Sequence, residues 1–487
     1  MPAELWWLAA AAPLLLSAWA SGHVLLNKQE VAAAVGWTGV IWLLPYAGAI
    51  LYWLFGINRV RRRAKKLRPG RAISGSTGTD FGLEAGERPP AGPTLRHFHT
   101  DAAANLDALS RLSDRLADHG LAEGNAVLPL EDGDTAYPDM LAAIRGARRS
   151  VALSSYIMDH DRIGLDFAEA LVAAAHRGVA VRVLLDALGS RYARPSMYRH
   201  LRRQGVEVAL FMPMGWPWRM PYLNLRNHRK ILVVDGETGF TGGMNIRQGC
   251  TADGDAPPRI RDLHFRLAGP VVGHLLDCFA SDWSFVTGEE LDGPAWAVAT
   301  AMPAGPVVAR GIADGPDERQ PRIRWLILGA LAEAQDRVRI VTPYFLPDQA
   351  ILTALNVAAM RGVSVDILLP EKVNLRLVQW AAWARLGNLL SAGCRVWLTP
   401  PPFDHAKLMT VDGGWTLLGS ANWDARSLRL NFEFDVEAYD TGLAGGMDRL
   451  IDGRIAAARS VTLHEVRSRG LALRLRDGLC WLASPYL

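Results

Sequence analysis

The chain has 487 residues, half of them hydrophobic, and a formal net charge of +4. That length allows two or three domains, and the near-neutral balance speaks against a nucleic-acid polycation. The four cysteines, Cys250, Cys278, Cys394 and Cys480, are far apart and form no CxxC or Cys/His cluster. This argues against structural zinc and against a disulfide framework, and it fits a reducing compartment.

Residues 5–26, LWWLAAAAPLLLSAWASGHVLL, are nearly all apolar, and after a polar NKQE the run 31–57 carries no charged residue. A spanning helix needs about 20 apolar residues, so residues 1–58 are predicted to form a transmembrane helical hairpin. Pro45 and Gly48 are placed to kink its second helix, and Trp and Tyr near the ends suit the interface. A cleaved leader would want a positively charged start, whereas the only charged side chain before the apolar core is Glu4. Eight Lys or Arg follow in NRVRRRAKKLRPGR (58–71). The positive-inside rule places this flank, and hence the N-terminus, on the cytoplasmic side, and the same cluster suits anionic headgroups. The Gly/Pro/Ser-rich stretch that follows reads as a tether, so 59–95 is basic flank and linker.

From residue 96 the same order of elements occurs twice. SVALSSYIMD (150–159) precedes a helical pattern ending at Arg177-Gly178-Val179, and RVRIVTPYFLPD (337–348) precedes one ending at Arg361-Gly362-Val363. Gly suits the residue after a helix, and the β-branched runs beyond read as buried strands. A second helix and strand follow in each half, 197–211 and 384–398. Alternating strands and helices predict an α/β fold of two similar domains, 96–295 and 296–487, with mixed sheets flanked by helices. The first half carries an insertion centred on MPMGWPWRMPYLNLRN (212–227), whose Trp, Tyr and Arg suit either a headgroup-level surface or an ordinary packed loop. The C-terminal EVRSRGLALRLRDGLCWLASPYL (465–487) reads equally as an interfacial amphipathic helix or as a packed terminal helix.

Each half then ends in one motif. His228, Lys230 and Asp235 precede Gly242, Gly243 and Asn245; His405, Lys407 and Asp412 precede Gly419, Ser420 and Asn422, with matching offsets. Residues i and i+2 of a strand share a face, so each His projects beside its Lys. One HxKxxxxD is a weak motif, but two copies with matching G-x-N tails in matching halves are a strong one. Lys is otherwise scarce in this Arg-rich chain, occurring elsewhere only at 28, 65, 66 and 372.

These motifs resemble those of the phospholipase D superfamily, in which two HKD motifs build one active site at a pseudo-twofold axis. Within it the chain is similar to the bacterial cardiolipin synthases over nearly its whole length. LPYAGAILYWLFG, RNHRKILVVDG, GFTGGMNI, DLHFRLAGP, VTPYFLPD, HAKLMTVD, LGSANWDARSLRLNFE and LASPYL carry the likeness. Two details depart from the expected pattern: Asn374 stands where Asp is expected, and Asp404 precedes His405.

The resemblance implies a phospholipid phosphatidyltransferase of the bacterial inner membrane, with its catalytic domains on the cytoplasmic side. It implies phosphatidylglycerol as substrate, no cofactor, no metal and no nucleic-acid partner, and leaves a homo-oligomer open. His228 is expected to attack phosphorus and His405 to act as general acid and base. Lys230, Lys407, Asn245 and Asn422 are expected to hold the phosphate oxygens. Asp262 and Glu433 are expected to orient the histidines. Asp235 and Asp412 belong to the catalytic motif, with pairing at the domain interface as a second expectation. A phospholipase D or headgroup-exchange enzyme uses the same chemistry; a tethered HKD nuclease and a degenerate, non-enzymatic scaffold are the other readings.

Overall fold

The computed structural model describes residues 3–28, 31–53, 95, 98, 105–191, 195–212, 225–252, 259–298, 303–316 and 320–484. The basic flank 58–71, nearly all of the linker and residues 213–224 of the aromatic insertion lie outside them. The chain divides into two compact units, Met1–Lys66 and Leu67–Leu487.

In the first unit, helix Ala3–Asn27 is followed by Val31–Leu43 and Pro45–Leu51. The predicted second helix is thus two pieces, because Pro45 has no amide hydrogen and Leu44 leaves the helical region (φ −133°, ψ 72°). Ala20, Val24, Ile41, Ala49 and Tyr52 pack the pieces together. Polar contacts tie them: Ser17 Oγ donates to Ile41 O (3.3 Å), Trp42 Nε1 to Ser21 Oγ (3.0 Å), and His23 Nδ1 lies 2.8 Å from Tyr52 Oη. Among the described residues no helix is long and apolar enough to cross a membrane.

The second unit is built on one 16-stranded mixed sheet. Its seam is the antiparallel pair Ala122–Glu131 and Val307–Asp314 (Ala122↔Ala309, Asn125↔Val307). From the seam the order in one direction is Leu263–Ala268, Thr238–Gly242, Ile231–Val234, Ser150–Ser155, Ala180–Asp186, Glu207–Phe211. In the other it is Asn431–Tyr439, Trp415–Gly419, Leu408–Val411, Arg337–Val341, Ser364–Pro370, Arg395–Thr399, and finally Arg459–Val461. Apart from Arg459–Val461, which has no counterpart, the two directions repeat each other strand for strand. Along them parallel pairing is confined to the outer βαβ units, as at Ser150–Ser155 with Ala180–Asp186 and Arg337–Val341 with Ser364–Pro370. The sixteenth strand, Arg226–Asn227, lies off this path and pairs in parallel with Asn431–Tyr439.

Local sequence explains the repeated helices. Arg162–His176 turns Ile163, Phe167, Leu171 and Ala174 onto the sheet at helical spacing, and Asp161 caps it by accepting from Gly164 N (2.9 Å). In the second half Gln349–Met360 buries Ile351, Leu352, Leu355 and Ala358, capped by Asp348. Burying one such large side chain contributes about 1.5–3 kcal/mol, and the cores these helices help fill run beneath both halves.

Candidate active site

The strands expected to carry the motif residues begin one residue after each Lys, at Ile231 and Leu408. The histidines therefore sit on the segments that lead into the sheet. What positions them is a reciprocal crossing of the halves. Arg226–Asn227 pairs in parallel with Asn431–Phe432, and Phe403–Asp404 with Ile260–Arg261. The next residue in each register closes the link: His228 N donates to Phe432 O (2.9 Å) and His405 N to Arg261 O (2.7 Å). The residue after each of those carbonyls carries a carboxylate. Glu433 thus reaches His228 Nδ1 at 3.0 Å through both oxygens, and Asp262 Oδ2 reaches His405 Nδ1 at 2.8 Å. Each half supplies the carboxylate that faces the other half's histidine.

Glu433 is fully buried and further held by Ser420 Oγ (2.6 Å) and Asn431 Nδ2 (3.1 Å). Position 243, equivalent to Ser420, is Gly for a steric reason. A Cβ there would collide with the Asp262 carboxylate and come 2.9 Å from His405 O. Gly242 (φ +147°) and Gly419 (φ +158°) adopt a backbone conformation that side chains avoid, with His264 and Asp435 pressed against them. The G-G/S-x-N tail is therefore set by backbone crowding under the site.

Lys230 Nζ donates to His228 O at 2.6 Å, and Lys407 Nζ to His405 O while lying 3.0 Å from His405 Nδ1. Burial pushes the Lys230 ammonium down to about 7, with Lys407 adding repulsion against the pull of Glu433. Lys407 falls to about 8 for the same leading reason. Burial also pushes both imidazoles down to about 4. His228 feels Lys407 and His405 feels Lys230, so the two motifs share one electrostatic site. Opposing their own burial, the neighbouring cationic groups keep Glu433 and Asp262 below the usual carboxylate range. A buried site with two ammonium groups and two imidazoles suits an anionic phosphoester.

Asn245 Oδ1 accepts from Ile157 N (3.2 Å), which leaves the donor end of its amide to offer. Asn422 Oδ1 is buried without a hydrogen-bond partner among the described residues. Asp235 and Asp412 are not hydrogen-bonded to the histidines, and of the two only Asp412 is bonded across the halves among the described residues, to Asn105. They lie past the far ends of the strands that begin at Ile231 and Leu408, some five residues of chain from each Lys, on the order of 16 Å if extended. Asp235 accepts from the amides of Arg148, Arg149 and Ser150. Asp412 accepts from those of Gln335, Asp336 and Arg337, and from Asn105 Nδ2. A carboxylate at that turn satisfies exposed backbone donors at the entry to the neighbouring strand.

Several residues at the site carry no motif. Tyr156 and Tyr344, equivalent in SSYIMD and TPYFLPD, set their rings edge-on to His228 (5.1 Å) and His405 (6.2 Å). The repeat alignment was the available signal. Tyr344 Oη donates to Asn374 Oδ1 (2.6 Å), so the unexpected Asn lies one hydrogen bond behind His405's neighbour. Arg229 is buried between the halves, bonded to both Asp282 oxygens (2.6 Å), Asp314 O and Glu433 O. Asp404 is buried against Arg454 (3.0 Å) and accepts from Ala406 N; it is a structural ion-pair member beside the motif.

A family model described as cardiolipin synthase, PLD-like domain, matches residues 140–255 and 327–454, and one described as phospholipase D-nuclease N-terminal matches 15–56. A cardiolipin synthase of Geobacillus kaustophilus is 31% identical, covering 95% of this chain and 90% of its own length. The major cardiolipin synthase ClsA of Bacillus subtilis is 31% identical, covering 95% of each. Cardiolipin synthase A of Pseudomonas fluorescens is 33% identical, covering 96% and 95%. The crystal structure of a phosphatidylserine synthase from Haemophilus influenzae superposes with TM-score 0.61 at 14% identity, over 78% of this chain and all of that one. It shares the fold.

Proposed function

The chain belongs to the cardiolipin synthase family of phospholipase D-like enzymes, and from that premise we propose that it is a phosphatidyltransferase making cardiolipin. It moves the phosphatidyl group of one phosphatidylglycerol to a hydroxyl of a second and releases glycerol. The observation that carries this reading is the crossed pair His228–Glu433 and His405–Asp262 beside two buried lysines.

In this reading His228, with its Nδ1 proton held by Glu433, attacks phosphorus through Nε2. The phosphorus–nitrogen bond forms as the bond to the glycerol oxygen breaks, and His405 gives that oxygen its proton. His405 then takes the proton from the second phosphatidylglycerol's hydroxyl, whose oxygen displaces His228. Both imidazoles rest neutral near pH 7. The arriving phosphate adds negative charge beside His405 and so raises its proton affinity, and His405 takes up from water the proton that it passes to the glycerol oxygen. Lys230, Lys407, Asn245 and Asn422 hold the non-bridging oxygens. Asp235 and Asp412 act at a distance, by holding the strand entries. We place the domain boundary between the two halves in the segment near 295, and the basic flank and linker at 59–95.

We further read residues 1–58 as a membrane hairpin of the bacterial inner membrane, with the catalytic unit cytoplasmic. Its support is the apolar sequence and exposed apolar side chains such as Leu15, Trp19, Leu26 and Leu43.

The test is product analysis. Purified protein given headgroup-labelled phosphatidylglycerol, in EDTA and without it, is expected to yield cardiolipin and free glycerol equally. Phosphatidic acid alone means a hydrolase, no product from the lipid removes the reading, and strict metal dependence removes the metal-free mechanism.

The lysines give a pH prediction. Their charge is present below about 7 for Lys230 and about 8 for Lys407, and is lost as pH rises through those values. kcat/KM for phosphatidylglycerol is therefore expected to fall from about pH 7 upward and steeply past 8. A profile flat to pH 9.5 contradicts phosphate binding by these lysines.

A further inference from the structure

The C-terminal helix Leu471–Leu482 packs against helix Arg376–Ala392, with Asp477, Cys480 and Trp481 turned inward. Asp477 is buried and paired with Arg469 (2.5 Å) and Arg476 (2.7 Å). Leu471, Leu475, Leu479 and Leu482 fall on one stripe at helical spacing and are 59–70% exposed. A row of four exposed leucines on a helix whose other side is packed is not the usual surface of a globular domain.

Beside this stripe lies a groove of about 810 Å³ between the two helices. Arg385, Arg467, Arg469 and Arg474 line it, and among the described residues its one carboxylate is the paired Asp477. Arg385 stacks on Trp481 (3.7 Å) and Arg469 on Trp383 (4.3 Å). Arg385 Nε is buried without a hydrogen-bond partner among the described residues. Leucines at the lip, aromatic rings behind them and guanidinium groups in the groove reproduce the layering of a bilayer interface, acyl to headgroup.

We propose that this two-helix platform is a docking surface for an anionic phospholipid bilayer. The leucine stripe enters the acyl boundary and the arginine groove takes anionic headgroups. The proposal rests on the lipid-transferase reading above. It adds how the catalytic unit meets its substrate. Trp481 and Cys480 pack on the cluster Leu346, Val378, Ala381 and Ala382, and so does Tyr344, the ring set edge-on to His405. One shared buried cluster therefore joins the platform to the Tyr344 wall of the active site, and docking there presents the membrane on the side of the histidine that handles the leaving and entering hydroxyls.

The test uses the full chain with Leu475→Gln, Leu479→Gln and Leu482→Gln combined, exposed positions whose change leaves the core intact. On vesicles of phosphatidylglycerol and phosphatidylcholine, KM is expected to rise at least tenfold with kcat little changed. On monomeric dibutyryl phosphatidylglycerol, below its micelle concentration, the variant should match the parent. Arg474→Glu should repeat the vesicle effect, and raised salt should weaken vesicle activity of the parent more than of this variant. Unchanged vesicle KM in both variants overturns the docking surface. Equal loss on the monomeric substrate does so too, since it marks a structural role. A drop in sedimentation mass with unchanged vesicle kinetics overturns it in favour of contact between copies. A parent chain that makes no cardiolipin from either substrate instead removes the function on which the proposal rests.

Discussion

His405→Ala is expected to lower kcat for cardiolipin formation by at least about 10³-fold, roughly 4 kcal/mol of barrier, because one group serves as acid in the first step and base in the second. His228→Ala should be as damaging for a different reason, the loss of the covalent route. A phosphatidyl ester of p-nitrophenol separates the two. This leaving group departs without a proton, so His405→Ala should still release one equivalent of p-nitrophenol and retain acid-labile lipid on the protein. His228→Ala should release none. The opposite pattern exchanges the two roles, and normal transfer by purified His405→Ala refutes a single site built from both motifs.

Glu433→Gln should lower kcat roughly 10²- to 10³-fold, and its signature should be that of His228→Ala although Glu433 lies in the other half. The carboxylate is fully buried and accepts from His228, Ser420 and Asn431. Gln keeps the shape but loses the charge that offsets a phosphorylated imidazolium and supports the Lys230 ammonium. Leaving buried cationic groups without that charge should also cost on the order of 3 kcal/mol of stability, read as a lowered Tm. Asp262→Asn should mirror His405→Ala: a burst of p-nitrophenol without turnover. If Glu433→Gln keeps the burst and Asp262→Asn loses it, the crossed pairing does not govern catalysis.

Much of this is legible in the sequence. The α/β class followed from alternating patterns, and the duplication from matched Arg-Gly-Val helix ends and matched motif offsets. His228, Lys230, His405 and Lys407 stood out because a rare Lys recurs at the same spacing in both halves. The carboxylates Asp262 and Glu433 were found through resemblance, since nothing in their spacing says what they face. Asp235 and Asp412 fit the structural side of the two expectations. A motif records co-occurrence in sequence, and their offset reflects a turn that holds the amides of 148–150 and 335–337.

The N-terminal apolar run shows a related limit. Hydropathy reads 31–57 as one continuous segment, but Pro45 removes a helical hydrogen bond and the segment divides at Leu44. The sequence by itself determined the local patterns of this protein: which segments are strands or helices, where they repeat, and which side chains can do phosphoryl chemistry. Only the tertiary structure decided that each histidine is held by the other half. That pairing depends on two short parallel contacts, at 226–227 with 431–432 and at 403–404 with 260–261. Their partners are separated by some 140 to 205 residues, and register between distant strands is fixed by the closing of the whole sheet.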